Sequence, residues 1–165
     1  MISGKAIKYG DNVNTDVIIP AKYLVLTLDP MELAKHAMEG LDPTFFKKAQ
    51  GGAIIVAGKN FGCGSSREEA PLALKHAGVK CVLAESFARI FYRNAINLGV
   101  PVLECSGVSG KVDDGDELMV NLDTGIIENR SKGLTLQATQ LPEFIMEILN
   151  DGGLIEHLRK RIKSK

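Results

Sequence analysis

Several features that would assign this chain of 165 residues to a special class of protein are missing from it. It has no tryptophan, and its twenty basic and twenty acidic residues cancel to a formal net charge of zero. No global field therefore draws it toward nucleic acid or an anionic membrane. No apolar run approaches the roughly 20 residues that span a bilayer, and residues 1–5 lack the apolar core of a signal peptide. We expect a cytoplasmic protein that binds neither nucleic acid nor membrane.

Cysteine is also scarce. The three cysteines, Cys63, Cys81 and Cys105, form no C-x-x-C pair, which argues against a disulfide framework and against a metal site held by this chain alone. Cys81 and Cys105 lie in apolar runs and are expected in the core. Cys63 lies in a glycine loop near a predicted helix N-terminus, where a thiol pKa can be lowered. A catalytic thiol is therefore an alternative, although no histidine is near it in sequence.

The apolar runs that are present predict an α/β fold, with residues 1–165 forming one domain. After a short first strand at 5–9 and a helix at 31–39, strands alternate with helices, which predicts a parallel core sheet. Shorter strands separated by turn residues then predict a C-terminal antiparallel meander. A helix from Pro142 to Asn150 and a last helix follow. The predicted core strands are 53–57, 79–84 and 100–104, and the predicted meander strands are 118–122, 126–129 and 134–138.

The most informative segment follows the strand at 53–57. Residues 60–69 read Asn-Phe-Gly-Cys-Gly-Ser-Ser-Arg-Glu-Glu, and each serine has a glutamate three positions later, as in a capping box. We expect the next helix to begin at these serines, with an anion favoured at its N-terminus. On that count Pro71 lies beyond the first turn and should kink the helix. An ordinary glycine loop with a helix cap is the alternative, but a cap needs neither Arg67 nor a second serine.

Two further polar segments stand out. Residues 12–16, Asn-Val-Asn-Thr-Asp, are either an Asx-rich turn or a site in which Asp16 orients a partner. Ser86 is expected to cap a helix to Leu98, on which Arg89 and Arg93 share one face. Because the carboxyl ends of parallel strands meet at one edge of a sheet, the glycine loop and the start of this helix are expected on one rim.

A serine beside an arginine supports three chemistries. The serine can act as a hydrolase nucleophile, as a phosphate ligand, or as a proton-abstracting base that amides and positive charge hold as the alkoxide. The nucleophile lacks a G-x-S-x-G motif, and the phosphate site lacks both the third glycine of G-x-G-x-x-G and the P-loop lysine. The residues alone leave the choice open.

The three segments, in this order, resemble the small subunits of isopropylmalate isomerase and its homoaconitase relatives, within the aconitase superfamily. The similarity runs from the first strand to the last helix. It rests on Asn-Thr-Asp at 14–16 with Ile-Ile-Pro at 18–20, Gly-Cys-Gly-Ser-Ser-Arg-Glu at 62–68, and Ser-Phe-Ala-Arg-Ile at 86–90. It implies a swivelling β/β/α domain that dehydrates and rehydrates a hydroxy-dicarboxylate substrate, with a [4Fe–4S] cluster in a partner large subunit and none bound by this chain. The assembly would be a heterodimer or a heterotetramer.

Roles for individual residues follow from the same resemblance. Ser65 is the base that removes the proton next to a carboxylate, Arg67 binds that carboxylate, and Asp16 supports catalytic groups of the other subunit. Thr15 and Ser66 are expected at the substrate. Arg89 falls on a family motif and is expected to be structural.

Substrate choice follows from the segment after Pro20. Homoaconitase-like members carry an arginine after the Tyr-Leu pair, whereas this chain has Val25 and then Leu26. A carboxylate buried against valine would be unpaired, while an isopropyl group gains from apolar contact. The expected reaction is therefore the interconversion of 2- and 3-isopropylmalate in leucine biosynthesis. The alternatives are homoaconitase, citramalate or another alkylmalate, Val25 and Leu26 packed inside their own domain, and a stand-alone module that binds a dicarboxylate or phosphate.

Overall fold

The computed structural model describes residues 1–164, and one seven-stranded sheet organises them. The strands are β1 (Ile2–Lys8), β2 (Ala53–Ala57), β3 (Val79–Ala84), β4 (Val102–Glu104), β5 (Glu117–Val120), β6 (Ile126–Asn129) and β7 (Leu134–Gln137). The helices are α1 (Thr15–Ile18), α2 (Ala21–Leu26), α3 (Pro30–Ala34), α4 (Phe45–Ala49), α5 (Glu69–Ala77), α6 (Arg89–Asn97), α7 (Val108–Lys111), α8 (Glu143–Asn150) and α9 (Leu154–Lys163).

Strand β1 joins the two halves of the sheet, whose order is β4-β3-β2-β1-β5-β6-β7. It pairs in parallel with β2 and antiparallel with β5. The pairs β2–β3 and β3–β4 are parallel, whereas β5–β6 and β6–β7 are antiparallel. The predicted α/β fold with a parallel core and a C-terminal meander is therefore confirmed, and the two parts share one continuous sheet.

The parallel part of the sheet is covered on both faces, which explains the apolar composition of its strands. All five residues of β2 are buried. Ala53, Ile55 and Ala57 pack into one apolar cluster, and Ile54 and Val56 pack into another, as expected where successive side chains point to opposite faces. Because both faces are buried, β2 is a continuous apolar run without alternation.

Two helices begin later than predicted. Helix α5 begins at Glu69, and its N-cap residue Glu68 makes no side-chain capping bond, so the predicted capping box at the serines is wrong. Pro71 is then the third residue of the helix. Its missing N–H falls in the first turn, where no intrahelical partner exists, so the reason for expecting a kink disappears. The predicted end at Gly78 is confirmed by its φ of 113°.

The second correction concerns Ser86. Helix α6 begins at Arg89 after Ala88, and the Ser86 hydroxyl instead accepts a hydrogen bond from the backbone amide of Asn60 at 2.8 Å. The helix predicted over 31–39 is also shorter, since α3 ends at Ala34. Within residues 1–164, no helix has the length and apolar character needed to cross a membrane.

Candidate functional site

The segment at 12–16 and the glycine loop lie side by side, although about fifty residues separate them. The amide of Thr15 donates to the carbonyl of Cys63 at 2.8 Å, and the amide of Gly62 donates to the carbonyl of Val13 at 2.7 Å. The buried Thr15 side chain adds a third bond, because its hydroxyl donates to the carbonyl of Ser65 at 2.8 Å. These bonds fix the backbone that presents Ser65.

The glycines of the loop are required by its conformation. Gly62 has a φ of 84° and Gly64 a φ of 97°, in the left-handed region that glycine adopts without strain. A Cβ on Gly62 would overlap the ring of Phe91. The aromatic rings of Phe61 and Phe91 meet edge to face, with their centroids 5.2 Å apart. The loop is therefore seated closely on helix α6.

A cavity of about 320 Å³ opens where these elements meet. Ser65 and Ser66 are exposed at its wall. It is lined by Thr15, Gly62, Gly64, Ser65, Ser66, Arg67, Ala88, Arg89, Ile90 and Phe91. The structure thus brings together the glycine loop and the start of α6, as the rim predicted from the parallel strands requires. Thr15, which that prediction did not include, lies at the same cavity.

Arg67 and Asp16 form an ion pair beside this cavity. Arg67 Nη1 lies 3.0 Å from Asp16 Oδ1, and it also donates to the carbonyl of Ile19 at 2.9 Å. The Arg67 side chain is only 18% exposed, whereas that of Asp16 is 67% exposed. The hydrogen bond from Arg67, followed by one from the amide of Ala21, lowers the pKa of Asp16. Arg67 is therefore held in place through one nitrogen of its guanidinium fork.

The helix end that faces the cavity belongs to α6. Ala88, the N-cap residue of α6, makes no side-chain capping bond, and it lines the cavity with Arg89 and Ile90. The first-turn amides of this helix and its dipole favour an anion there, whereas α5 has glutamate both at its N-cap (Glu68) and at its first position (Glu69). Arg89, which the sequence assigned to a structural role, is exposed at the cavity wall. Arg89 lies at the start of the helix that follows a core strand, and this position in the sequence was the signal that could have placed it at the site.

Helix α2 carries Val25 and Leu26 near this site. The two side chains are 86% and 78% exposed, so the alternative that they pack inside their own domain is wrong. Neither lines the cavity. The helix is attached close to the ion pair, because the Ala21 amide lies 3.4 Å from Asp16 Oδ1.

The cysteines do not converge on the site. Cys81 and Cys105 are buried and Cys63 is partly exposed. Burial raises the pKa of Cys81 to about 12 and also raises that of Cys105, which agrees with their predicted place in the core. Among residues 1–164, no group of three or more histidine, cysteine, aspartate or glutamate side chains is arranged to hold a metal ion.

A larger cleft of about 650 Å³ lies between α6 and α8. It shares Arg89 with the smaller cavity, but its lining is mostly apolar and includes Tyr92, Phe144 and Ile148. It contains no residue of the glycine loop. The smaller cavity therefore remains the candidate site.

Comparison with known proteins agrees with this fold and site. The family model described as the Aconitase C-terminal domain matches residues 31–107. The isopropylmalate/citramalate isomerase small subunit of Methanocaldococcus jannaschii is 60% identical, over 98% of this chain and 96% of that protein. The 3-isopropylmalate dehydratase small subunit of Methanosarcina mazei is 57% identical, over 99% of this chain and 100% of its own length. A crystal structure of 3-isopropylmalate dehydratase from Methanocaldococcus jannaschii, 48% identical, superposes with a TM-score of 0.93 and covers 99% of this chain and 97% of that one.

Fold and site together define a domain of the aconitase type. At this identity and coverage, the chain belongs to the family of 3-isopropylmalate dehydratase small subunits.

Proposed function

We propose that this chain is the small subunit of a hydro-lyase that interconverts 2- and 3-isopropylmalate in leucine biosynthesis, and that it is active only with a cluster-bearing large subunit. The observation that carries this proposal is the cavity that brings Ser65, Arg67 and Thr15 together. The chain's 57% identity to a 3-isopropylmalate dehydratase small subunit supports the reaction. The three free cysteines agree with the cytoplasmic location that we also propose.

In this reaction Ser65 Oγ removes the proton from the carbon next to a substrate carboxylate, and hydroxide leaves the neighbouring carbon to give an unsaturated acid. Water then adds back with the proton and the hydroxyl on exchanged carbons, which gives the isomer. The [4Fe–4S] cluster, bound to the large subunit, supplies a Lewis acid for the departing hydroxyl. Arg67, Arg89 and the first turn of α6 share the cavity with Ser65, and positive charge and helix amides there lower the cost of its alkoxide form. Docking of the large subunit excludes water from the cavity.

Arg67 binds the substrate carboxylate through the nitrogens of its fork that the Asp16 pair leaves available, since the ion pair uses Nη1. A planar guanidinium suits this bidentate contact. Asp16 holds Arg67 from the other side and supports the catalytic groups contributed by the large subunit. Ser66 completes the contact with substrate, and Thr15 contributes to the substrate site by holding the Ser65 backbone.

Val25 and Leu26 receive the isopropyl group once the large subunit closes over helix α2. Their exposure in the isolated chain supports this role, because an apolar surface of this kind gains free energy when it is covered. Citramalate is a second candidate substrate, favoured by the relative named isopropylmalate/citramalate isomerase small subunit. A hydrophobic pocket admits a smaller alkyl group with reduced efficiency, since each missing methylene costs about 10–200-fold.

The test is an anaerobic assay of this chain mixed with a reconstituted [4Fe–4S] large subunit, following the ultraviolet absorbance of the unsaturated intermediate. Isopropylmalate, citramalate and homocitrate are compared as substrates. We expect turnover of isopropylmalate, its loss in Ser65→Ala, and its retention in Cys63→Ala, which controls for the catalytic-thiol alternative. Preference for homocitrate would contradict the substrate assignment. Calorimetric binding of isopropylmalate to the isolated chain at micromolar concentration, without turnover in the complex, would favour a stand-alone binding module.

A further inference from the structure

Helix α2 is tied to the rest of the molecule through the side chain of Tyr23. The Tyr23 ring stacks on the imidazole of His36, with centroids 3.8 Å apart and planes 7° from parallel. Its hydroxyl donates to Glu39 Oε1. The other oxygen of the same carboxylate lies 2.6 Å from His36 Nδ1. One carboxylate therefore holds both rings, and we call Tyr23, His36 and Glu39 the Tyr23 clamp.

The remainder of α2 is weakly attached. None of its six residues is buried, and its N-cap residue Pro20 makes no side-chain capping bond. Tyr23 and Leu24 are the two residues of the helix that pack against the core. A helix of this length does not hold itself together in water. The placement of the exposed Val25 and Leu26 therefore depends on the clamp.

The clamp carries charges that a packing contact would not need. Lys22 Nζ lies 5.1 Å from the centroid of the Tyr23 ring. The hydrogen bonds from Tyr23 and then from His36 lower the pKa of Glu39, so the carboxylate stays ionised as an acceptor. His36 and Glu39 are 35% and 39% exposed. An ion pair that is more than a third exposed adds little to folding, but it fixes the direction of the Tyr23 ring.

We infer that His36 and Glu39 are positioning residues: acting through Tyr23, they set where Val25 and Leu26 meet the alkyl group of the substrate. The effect on substrate specificity rests on the proposed function, whereas the contacts of the Tyr23 clamp are present in this chain alone. Both positioning residues lie outside the segment that contacts substrate, and neither touches the cavity.

The first test needs no activity. Hydrogen exchange is measured on the isolated chain for the wild type, Tyr23→Phe, Glu39→Ala and Glu39→Gln. Tyr23→Phe removes the hydroxyl and keeps the ring, and Glu39→Gln keeps an acceptor. We expect amides 24–28 to exchange faster in Tyr23→Phe and in Glu39→Ala, with partial recovery in Glu39→Gln. Lys35→Ala, which breaks only the exposed pair with Glu32 in the same region, should leave them unchanged. Equal exchange in all variants overturns the clamp.

The second test uses the complex with the large subunit and compares kcat/KM for isopropylmalate and citramalate. We expect the ratio between the two substrates to fall about tenfold in Tyr23→Phe and Glu39→Ala, within the range that small alkyl differences provide, while Glu39→Gln and Lys35→Ala keep it. Thermal unfolding of the variants should be unchanged. Faster exchange with an unchanged ratio overturns the specificity role. A wild-type complex that converts neither acid overturns the proposed function and with it the specificity role, while hydrogen exchange still decides the clamp.

Discussion

The hydroxyl of Thr15 donates to the backbone carbonyl of Ser65, fifty positions further along the chain, at 2.8 Å. Thr15 is 3% exposed, so the donor is buried, while the acceptor belongs to Ser65, the proposed catalytic serine, which is exposed at the cavity wall. The bond links the first polar segment of the chain to the glycine loop. The relative position of Ser65 and Asp16 depends on it.

Replacing Thr15 by valine keeps the shape of the side chain and removes this bond. We expect the free energy of unfolding to fall by about 0.5–1.5 kcal/mol, since a partly buried hydrogen bond is lost, and kcat to fall in the assembled enzyme because the loop is less well held. Chemical denaturation and steady-state kinetics measure the two effects. Thr15→Ser restores the hydroxyl and should recover both. A valine variant with unchanged kcat would show that the bond has no part in presenting Ser65.

Gly62 permits the close contact between the glycine loop and α6. Alanine at this position would be strained at a φ of 84° and would overlap the Phe91 ring. We expect Gly62→Ala to lower the free energy of unfolding by about 2–4 kcal/mol, from overpacking and left-handed backbone strain together, and to abolish turnover. Gly110→Ala is the matched control, because a Cβ there meets nothing within 4 Å. Comparable stability of the two variants would contradict the prediction.

Arg89 places a permanent positive charge at the wall of the proposed site. Substitution by methionine keeps most of the aliphatic stem and removes the charge. We expect KM for isopropylmalate to rise about two- to fivefold with little change in kcat, because an exposed charge pair contributes about 0.2–1 kcal/mol. Arg93→Met is the control: Arg93 lies one turn further on, lines the larger cleft and does not line the site. If both substitutions raise KM equally, the effect comes from the overall positive charge of α6 and not from the position of Arg89 at the site.

Val25→Arg tests the substrate assignment directly. The added guanidinium can pair with a carboxylate but leaves an isopropyl group against a charge. We expect the assembled enzyme to lose kcat/KM for isopropylmalate and gain turnover of homocitrate. Leu28→Arg adds the same charge at a side chain that is 75% exposed just beyond α2, and it should change neither. If both variants respond alike, Val25 has no special place at the substrate.

Asp42 gives the chain a predictable response to acid. Partial desolvation raises its pKa, but hydrogen bonds from Lys48, Thr44 and Tyr9 outweigh this and lower it to about 2. A group with a depressed pKa in the folded state stabilises above its unfolded pKa, near 3.8, and loses that contribution as pH falls through the folded value.

We therefore expect the free energy of unfolding of the wild type to fall by roughly 1–2 kcal/mol between about pH 4 and pH 2 as Asp42 is protonated, allowing for solvent screening. Asp42→Asn should be less stable at neutral pH and should lack this part of the acid dependence. Urea unfolding at several pH values measures it, with the exposed Asp123→Asn as control. If the free energy of unfolding falls with pH in the same way in wild type and Asp42→Asn, Asp42 is not a source of the acid sensitivity.

Local sequence signals were sufficient for the strands and for much of the site. β2 and β3 have the bounds predicted from their apolar runs, because a strand buried on both faces needs uninterrupted hydrophobic residues. Gly78 marks the end of α5 because a left-handed residue there strongly favours glycine. The glycine loop and the start of α6 share a cavity, as the ends of neighbouring parallel strands predict.

Only the tertiary structure decided where the helices around the site begin and what holds α2. The sequence presented Ser86 as a helix cap, but its hydroxyl accepts the Asn60 amide, and the loop carrying Ser65 is bonded to the 12–16 segment. Tyr23 likewise meets His36 and Glu39 by packing that no local pattern announces. A local capping motif shows only which hydrogen bonds a side chain is able to make. Distant partners in the folded chain compete for the same donors and acceptors, and folding selects the combination that leaves the fewest buried groups unpaired.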